Sequence, residues 1–286
     1  MNIIKLIESF TNEGFIKSLS DKTATNRRES FGQFGKMGAN AAMAAVPLGL
    51  AALFTQKANA ANSAYAAATA DTATSALQLA LTLEYLEDEF YATALDTNGL
   101  IPAAEKDIIA QISQHEAAHV EFLKSALGNA APAKPTFDFS GAQSADGGGP
   151  FDAFGNYEVF LALAQAFEDT GVRAYKGQAA NLMGTGATLT AALQIHSVEA
   201  RHAAEIRRIR GLKGWITGNQ RGDGMPEETQ PVYNGEENTT HGGVNITTIS
   251  GSQFTPNLPS SAYTESYDEP ISTATAQTIA GLFIVP

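Results

Sequence analysis

Apolar and polar side chains recur with a helical period from about residue 73 to residue 127. The first stripe advances in steps of three and four residues and consists of Leu77, Leu81, Glu84, Asp88, Tyr91 and Leu95. Asn98-Gly99 and Pro102 interrupt this pattern, and residues of these types commonly end one helix and begin the next. A second helix is expected over about 103–127, just before Gly128. The pattern therefore predicts a helical hairpin.

A second helical hairpin is predicted after a long loop. The loop covers residues 129–156, is rich in Gly, Pro, Ala and Asp, and has Phe side chains spaced to fasten it onto the body. Helices are expected over about 157–183 and 187–212, with a break at Gly184-Thr185-Gly186. Two hairpins make a four-helix bundle, so we expect an all-α fold over residues 61–212.

The remaining segments lack this period. Residues 213–286 are rich in Gly, Asn, Thr, Ser and Pro, with eight acidic and two basic residues, which predicts an acidic, loop-rich extension that either wraps the bundle or contacts a partner. Residues 1–60 contain Arg27-Arg28, an uncharged stretch over 37–56, and then Ala58-Asn59-Ala60. This order is typical of a cleaved export signal, and the arginine pair resembles the twin-arginine type. An uncleaved membrane anchor is the alternative.

Charge and composition restrict the chemistry. The chain has 18 basic and 30 acidic residues and a formal net charge of −12, which argues against nucleic-acid binding. The first 60 residues hold seven basic and four acidic residues, a net charge of +3, so the remainder carries −15. The chain has no cysteine, which excludes disulfides, iron–sulfur clusters and thiolate metal sites. Any metal or redox chemistry must therefore use His, Asp, Glu or Tyr.

Two Glu-x-x-His pairs stand out among the polar residues. Glu116 and His119 lie on the predicted second helix, and Glu199 and His202 lie on the fourth. Side chains three residues apart in a helix share one face, so the two members of each pair can reach the same metal centre. The pairs therefore make metal binding the first hypothesis.

The first and third helices carry a matching repeat. Glu84 is followed by Tyr91, and Glu168 by Tyr175, each seven residues later. Seven residues are nearly two helical turns, so each Tyr lies on the same side of its helix as the Glu. The spacing from this Glu to the Glu-x-x-His pair is 32 residues in one half and 31 in the other. We expect the two halves to form one site.

This arrangement resembles the ferritin-like di-metal carboxylate superfamily, in which two helices each supply a Glu and two others each supply Glu-x-x-His. The segments LTLEYLEDEFY and ALAQAFEDTGVRAYKGQ are further similar to the exported bacterial ferritin-like domain proteins, relatives of desiccation-related proteins. The resemblance covers roughly residues 73–212. It implies that the Glu-x-x-His glutamates bridge two ions and that the other two glutamates are terminal. The implied ligands are Glu84, Glu116, His119, Glu168, Glu199 and His202.

Two features depart from this implied set. Glu87 rivals Glu84 as the ligand from the first helix, but it is rotated by about 60° around the helix and corresponds to Gly171 in the other half. Many members of the superfamily have Asp directly before the Glu of each Glu-x-x-His, as a hydrogen-bonding partner for the opposite His. His115 and Val198 occupy those positions here, which leaves the orientation of the two ligand histidines open.

The resemblance implies an exported non-haem protein that holds two Fe or two Mn ions and reacts with O2 or H2O2, in a ferroxidase-like or peroxide-detoxifying reaction. Tyr91 and Tyr175 would donate an electron or hydrogen-bond a metal-bound carboxylate, or would be core tyrosines with satisfied hydroxyls. A manganese catalase is one alternative, and a non-catalytic stress-protection or surface protein with a bracing metal site is another. The expected location is the periplasm or cell surface, without membrane attachment after cleavage. The sequence leaves open whether the chain forms a homo-oligomer.

Overall fold

Four long helices form the main body of the protein. In the computed structural model they are α1 (Ala70–Asp96), α2 (Lys106–Leu127), α3 (Tyr157–Gln178) and α4 (Ala187–Ile209). The structure describes residues 70–143, 147–248 and 258–286, so the predicted export signal lies outside the described residues. Within these ranges no helix is long and apolar enough to cross a membrane. The four helices confirm the predicted all-α bundle.

The ends of α3 and α4 fall a few residues before their predicted positions. After α4, Gly211 adopts a positive φ of 73°, and the N–H of Leu212 donates a hydrogen bond to the carbonyl of Arg207. This hydrogen-bond pattern ends a helix at a glycine, so α4 does not continue to residue 212. After α3 the backbone tightens into a 3-10 helix over Ala179–Leu182, which the apolar periodicity alone does not distinguish from an α-helix.

The long loop between the hairpins packs onto the helices through its aromatic side chains. α1 lies along α2, α3 lies along α4, and α1 also contacts α3. The ring of Phe90 in α1 lies 5.2 Å from the ring of Phe139 and 5.6 Å from that of Phe154, both in the loop. The loop is also joined to the C-terminal end, because the N–H of Asp138 donates to the carbonyl of Phe283 at 2.8 Å.

Helix α3 is enclosed along most of its length, since every residue from Phe160 to Tyr175 is buried. A helix that is buried on all sides needs cover on the side that faces away from the bundle core. The extension over residues 213–286 supplies part of that cover. Its elements are a 3-10 helix (Glu227–Val232), the antiparallel pair β1 (Thr240–His241) and β2 (Val244–Asn245), a 3-10 turn (Ile246–Thr248), α5 (Ser260–Thr264) and α6 (Thr273–Gly281).

Polar contacts hold the extension against α3. Arg173, which is 1% exposed, forms an ion pair with Glu236 at 2.7 Å and donates a hydrogen bond to the carbonyl of Glu269 at 2.8 Å. One turn further along α3, a Cβ at Gly177 would collide with the carbonyl oxygen of Ile271. The extension therefore wraps the bundle, which is one of the two arrangements that the composition left open.

Candidate metal centre

The four helices bring the six predicted ligand residues to one place inside the bundle. α1 and α3 each contribute one Glu, and α2 and α4 each contribute a Glu and a His from adjacent turns of one helical face. All four Glu side chains are fully buried, and the two histidines are 9% and 4% exposed. The six residues are Glu84, Glu116, His119, Glu168, Glu199 and His202.

Three carboxylate oxygens surround Nδ1 of His119. Oε2 of Glu84 lies at 3.1 Å, Oε2 of Glu116 at 3.0 Å and Oε1 of Glu199 at 3.2 Å. An imidazole nitrogen carries at most one hydrogen, so it cannot satisfy three carboxylates at once. Oxygen and nitrogen atoms that converge on one point are, by contrast, the arrangement that a metal ion needs.

A second group forms around Nδ1 of His202. Oε1 of Glu116 lies 2.8 Å from this nitrogen and Oε2 of Glu168 lies 3.2 Å from it, with Glu199 as the fourth member. In both groups the ligand atoms lie within 4.8 Å of one another. Glu116 and Glu199 belong to both groups, and Glu116 turns a different oxygen to each histidine. This is the placement of a bridging carboxylate.

Several atoms of the two groups lie close to one another but not in the geometry of a hydrogen bond, so they have no hydrogen-bond partner. In the part of the chain that the structure describes, they include Glu116 Oε1, Glu168 Oε2, both carboxylate oxygens of Glu199, and His202 Nδ1. A buried polar atom without a partner costs about 1–3 kcal/mol, and a charged group costs more. Two divalent cations would satisfy these atoms and balance the four carboxylate charges. The residues present therefore fit a pair of metal ions.

In the absence of metal ions, the buried glutamates and histidines of the site hold protons. Burial, with a contribution from Glu199, raises the pKa of Glu116 to about 7, and burial with the charge of Glu84 raises the pKa of Glu199 to about 8. Burial lowers the pKa of His119 and His202, but the surrounding carboxylates outweigh it and raise these pKa values to about 12 and about 11. Both imidazoles are then protonated at neutral pH, and a metal ion must displace their protons.

Tyr91 and Tyr175 each hydrogen-bond to a terminal carboxylate. The hydroxyl of Tyr91 donates to Oε1 of Glu168, and the hydroxyl of Tyr175 donates to Oε1 of Glu84, both at 2.5 Å. Each Tyr contacts the Glu of the other helix, because seven residues span about 10.5 Å along its own helix. Burial raises the pKa of both hydroxyls well above the usual value, so they remain protonated donors.

His115 occupies the position at which the superfamily often has Asp. Its Nδ1 lies 2.8 Å from Nε2 of His202, and its Nε2 lies 2.9 Å from the side-chain amide of Gln111. Burial, followed by the neighbouring imidazoles, lowers the pKa of His115, which keeps it neutral. A His202 that binds metal through Nδ1 carries its proton on Nε2 and donates it to His115. Val198, the equivalent residue on α4, has no polar group to offer His119.

A groove between α2 and α4 leads to this pair of imidazoles. It has a volume of about 450 Å³ and is lined by His115, Val198 and His202, together with the charged residues Asp107, Arg201 and Glu205. The groove brings solvent close to the histidine side of the two ligand groups. Ions and small molecules therefore have a short approach from the protein surface.

Two further residues of the bundle lie outside the two groups. Nδ1 of His196 donates to the backbone carbonyl of Val172 at 3.0 Å, so this side chain is tied to α3. Glu87 is buried one turn after Glu84 but belongs to neither group. The sequence did not predict that His115 contacts His202 or that Gln111 contacts His115. The position of His115 directly before a ligand Glu was the available signal.

Comparison with known protein families supports the fold of the four-helix bundle. The family model of the ferritin-like domain matches residues 71–212, which include all six ligand residues and nearly the whole of the four long helices. No curated protein matches the chain. Through residues 71–212, this chain belongs to the ferritin-like domain family.

Proposed function

We propose that this protein is an exported non-haem di-iron or di-manganese protein that reacts with O2 or H2O2. The observation that carries the proposal is that two ligand groups share Glu116 and Glu199. Two ions held by common carboxylates lie close enough to act together on one small oxidant. Carboxylate and imidazole ligands without thiolates suit iron and manganese.

When bound, such a metal pair supplies the redox chemistry, and the residues around it prepare the site. Tyr91 and Tyr175 hold the two terminal glutamates in place through short hydrogen bonds. Each phenol also lies one hydrogen bond from a ligand, where it can donate an electron. The groove between α2 and α4 admits small reactants, and the four long helices shield the carboxylates from bulk water.

Oxidation of Fe(II) in air by the chain without residues 1–60 tests the proposal. We expect the wild-type protein to oxidise Fe(II) over many turnovers with consumption of O2. Glu116→Ala removes a carboxylate from both groups and should abolish this activity, whereas Gln114→Ala, at an exposed position on the same helix, should retain it. If neither the Fe nor the Mn form turns over, but metal removal strongly lowers the melting temperature, the site only braces the bundle.

Peroxide separates two enzymatic outcomes. O2 evolution from H2O2 by the Mn form, without such activity in the Fe form, would identify a manganese catalase. Fe(II) oxidation by O2 or H2O2 without O2 evolution would identify a ferroxidase-like or peroxide-detoxifying protein. Both assays use the same protein after loading with a single metal, so they can be compared directly.

We further propose that residues 1–60 direct export to the periplasm or cell surface, as in the exported ferritin-like proteins that this chain resembles. The twin-arginine route carries folded proteins, which would allow the metal pair to be loaded before export. Replacement of Arg27 and Arg28 by Lys keeps the charge and removes the arginine pair. We expect this variant to remain in the cytoplasm, and unchanged export would rule out the twin-arginine route.

A further inference from the structure

Glu87 is a fifth buried carboxylate that the two ligand groups do not use. It lies on α1, one turn after Glu84, and is only 2% exposed. Burial raises its pKa well above the usual value, and so do the charges of the nearby ligand glutamates, with Glu199 the largest of these. Among the described residues, no hydrogen bond or ion pair to a basic side chain compensates this burial. A carboxylate in such a place needs either a proton or a cation.

Gly171 leaves the space into which Glu87 reaches. A Cβ at Gly171 would lie 3.1 Å from Oε2 of Glu199 and 3.4 Å from Oε1 of Glu87. Both oxygens therefore border the space that a side chain at this position of α3 would fill. Oε2 of Glu199 is fully buried and has no hydrogen-bond partner among the described residues. In the sequence repeat, Gly171 is the counterpart of Glu87. One half of the site therefore supplies an extra carboxylate, and the other half supplies the room for it.

We propose that Glu87 is a seventh ligand of the metal pair and coordinates an ion that is bound through Oε2 of Glu199. The proposal rests on the metal pair of the proposed function. Two divalent ions already balance the charge of four carboxylates, so an ionised Glu87 adds one negative charge and favours an ion of higher charge. Hard, oxygen-preferring cations such as Mn and Fe ions suit this donor.

Titration of the metal-free chain with Mn(II) tests the proposal. Binding is measured by isothermal titration calorimetry or by electron paramagnetic resonance of Mn(II). We expect the wild-type chain to bind two ions and Glu87→Gln, which keeps the shape but removes the charge, to bind one of them at least tenfold more weakly. The control is Glu89→Gln on the same helix, because Glu89 is part-exposed and pairs with Lys134 at 2.8 Å. This control should titrate as the wild type does.

Gly171→Ala provides a second variant that keeps every charge. Its methyl group would enter the gap between Glu199 and Glu87, while alanine favours a helix more than glycine does. We expect weaker Mn(II) binding without loss of helical structure, as measured by circular dichroism. This combination separates loss of a ligand from loss of the fold.

Two outcomes would overturn the proposal, and they differ. If the wild-type chain binds two Mn(II) ions and both Glu87→Gln and Gly171→Ala bind them equally well, Glu87 is not a ligand but the metal pair stands. If the wild-type chain binds less than one ion, the metal pair and this inference both fail. A crystal structure of the Mn-loaded chain should place a Glu87 oxygen at about 2.0–2.4 Å from an ion. If both Glu87 oxygens lie too far from either ion to coordinate it, the proposal is also overturned.

Discussion

Two imidazole nitrogens define the centre at the scale of single residues. Nδ1 of His119 and Nδ1 of His202 each lie 2.8–3.2 Å from the oxygens of two or more carboxylates. Within the described ranges, the ion pairs of these four glutamates involve histidine and not Lys or Arg. Without a metal, only the two protonated histidines and the protons held by the glutamates offset the cost of removing four carboxylates from water. This isolation is the reason that the same atoms make a favourable site for cations.

His115 should position His202 for metal binding. His115→Ala removes the acceptor for the Nε2 proton of His202, so we expect the affinity for Mn(II) to fall by about 10–100-fold. His115→Asp restores an acceptor of the kind common in the superfamily and should recover most of the affinity. Titration with Mn(II) measures both changes. If His115→Ala binds as tightly as the exposed control Gln114→Ala, the positioning role is wrong.

The protons held in the metal-free site should make its stability depend on pH. The folded pKa values of Glu116 and Glu199, about 7 and about 8, lie above their ordinary value of 4.5. Those of His119 and His202 are also raised, from 6.5 to about 12 and about 11. Groups with raised folded pKa values stabilise the fold below their unfolded pKa, and this stabilisation is lost as the pH rises through the folded pKa.

We therefore expect the melting temperature of the metal-free chain to fall between pH 5 and pH 9. Thermal unfolding by circular dichroism at steps of pH measures this slope. Glu199→Gln removes one of the titrating carboxyls and should flatten it. A melting temperature that rises steadily over the same range would contradict the buried, protonated cluster.

The sequence predicts some of these residue-level features well and others not at all. The sharing of one face by Glu116 and His119 follows from the geometry of a single helix, so spacing alone predicts it. The hydrogen bond from Tyr91 to Glu168 joins two helices, and its existence depends on how α1 and α3 lie against each other. The spacing of Glu and Tyr on one helix carries no information about that placement.

At the scale of elements, the regular helices were predictable and the extension was not. The four long helices have a sustained apolar period, which identifies them even though α3 ends at Gln178 and not near residue 183. The extension has no such period and is held by contacts between residues far apart in the chain, such as Arg173 with Glu236. Contacts of this kind leave no local pattern in a single sequence.

Gly177→Ala should test the attachment of the extension to α3. The added Cβ would collide with the backbone carbonyl of Ile271, so the extension must shift and strain its hydrogen bond to the carbonyl of Arg173. We expect the free energy of unfolding to fall by about 1–3 kcal/mol, as measured by urea denaturation. Gly281→Ala is the matched control, because a Cβ there meets no atom of the described part of the chain within 4 Å. Equal stability of the two variants would contradict the close fit.

At the scale of the whole molecule, the charge of the chain and the metal centre are linked. The chain beyond residue 60 has a net charge of −15, and at least four of its carboxylates are buried together where two divalent ions would neutralise them. The absence of cysteine agrees with a centre made of Glu and His alone. The bundle and the extension that covers α3 therefore enclose a site whose stability should depend on bound cations.

Metal removal should lower the stability of the entire fold. A ligand present at 100 times its dissociation constant stabilises the folded state by about 2.7 kcal/mol, which corresponds to about 5–10 °C in the melting temperature of a chain of this size. We expect a chelator to produce a decrease of at least this order, as measured by calorimetry, and added Mn(II) or Fe(II) to reverse it. An unchanged melting temperature would show that the folded state does not depend on a bound metal.

The metal content of protein purified from its own host tests the central claim most directly. Elemental analysis should find two Fe or Mn ions per wild-type chain. Glu116→Ala and Glu199→Ala should each hold far less, because each removes a ligand common to both groups. If the wild-type chain holds well under one ion, even after reloading with Fe(II) or Mn(II), and Glu116→Ala changes nothing, the account of a di-metal centre is wrong.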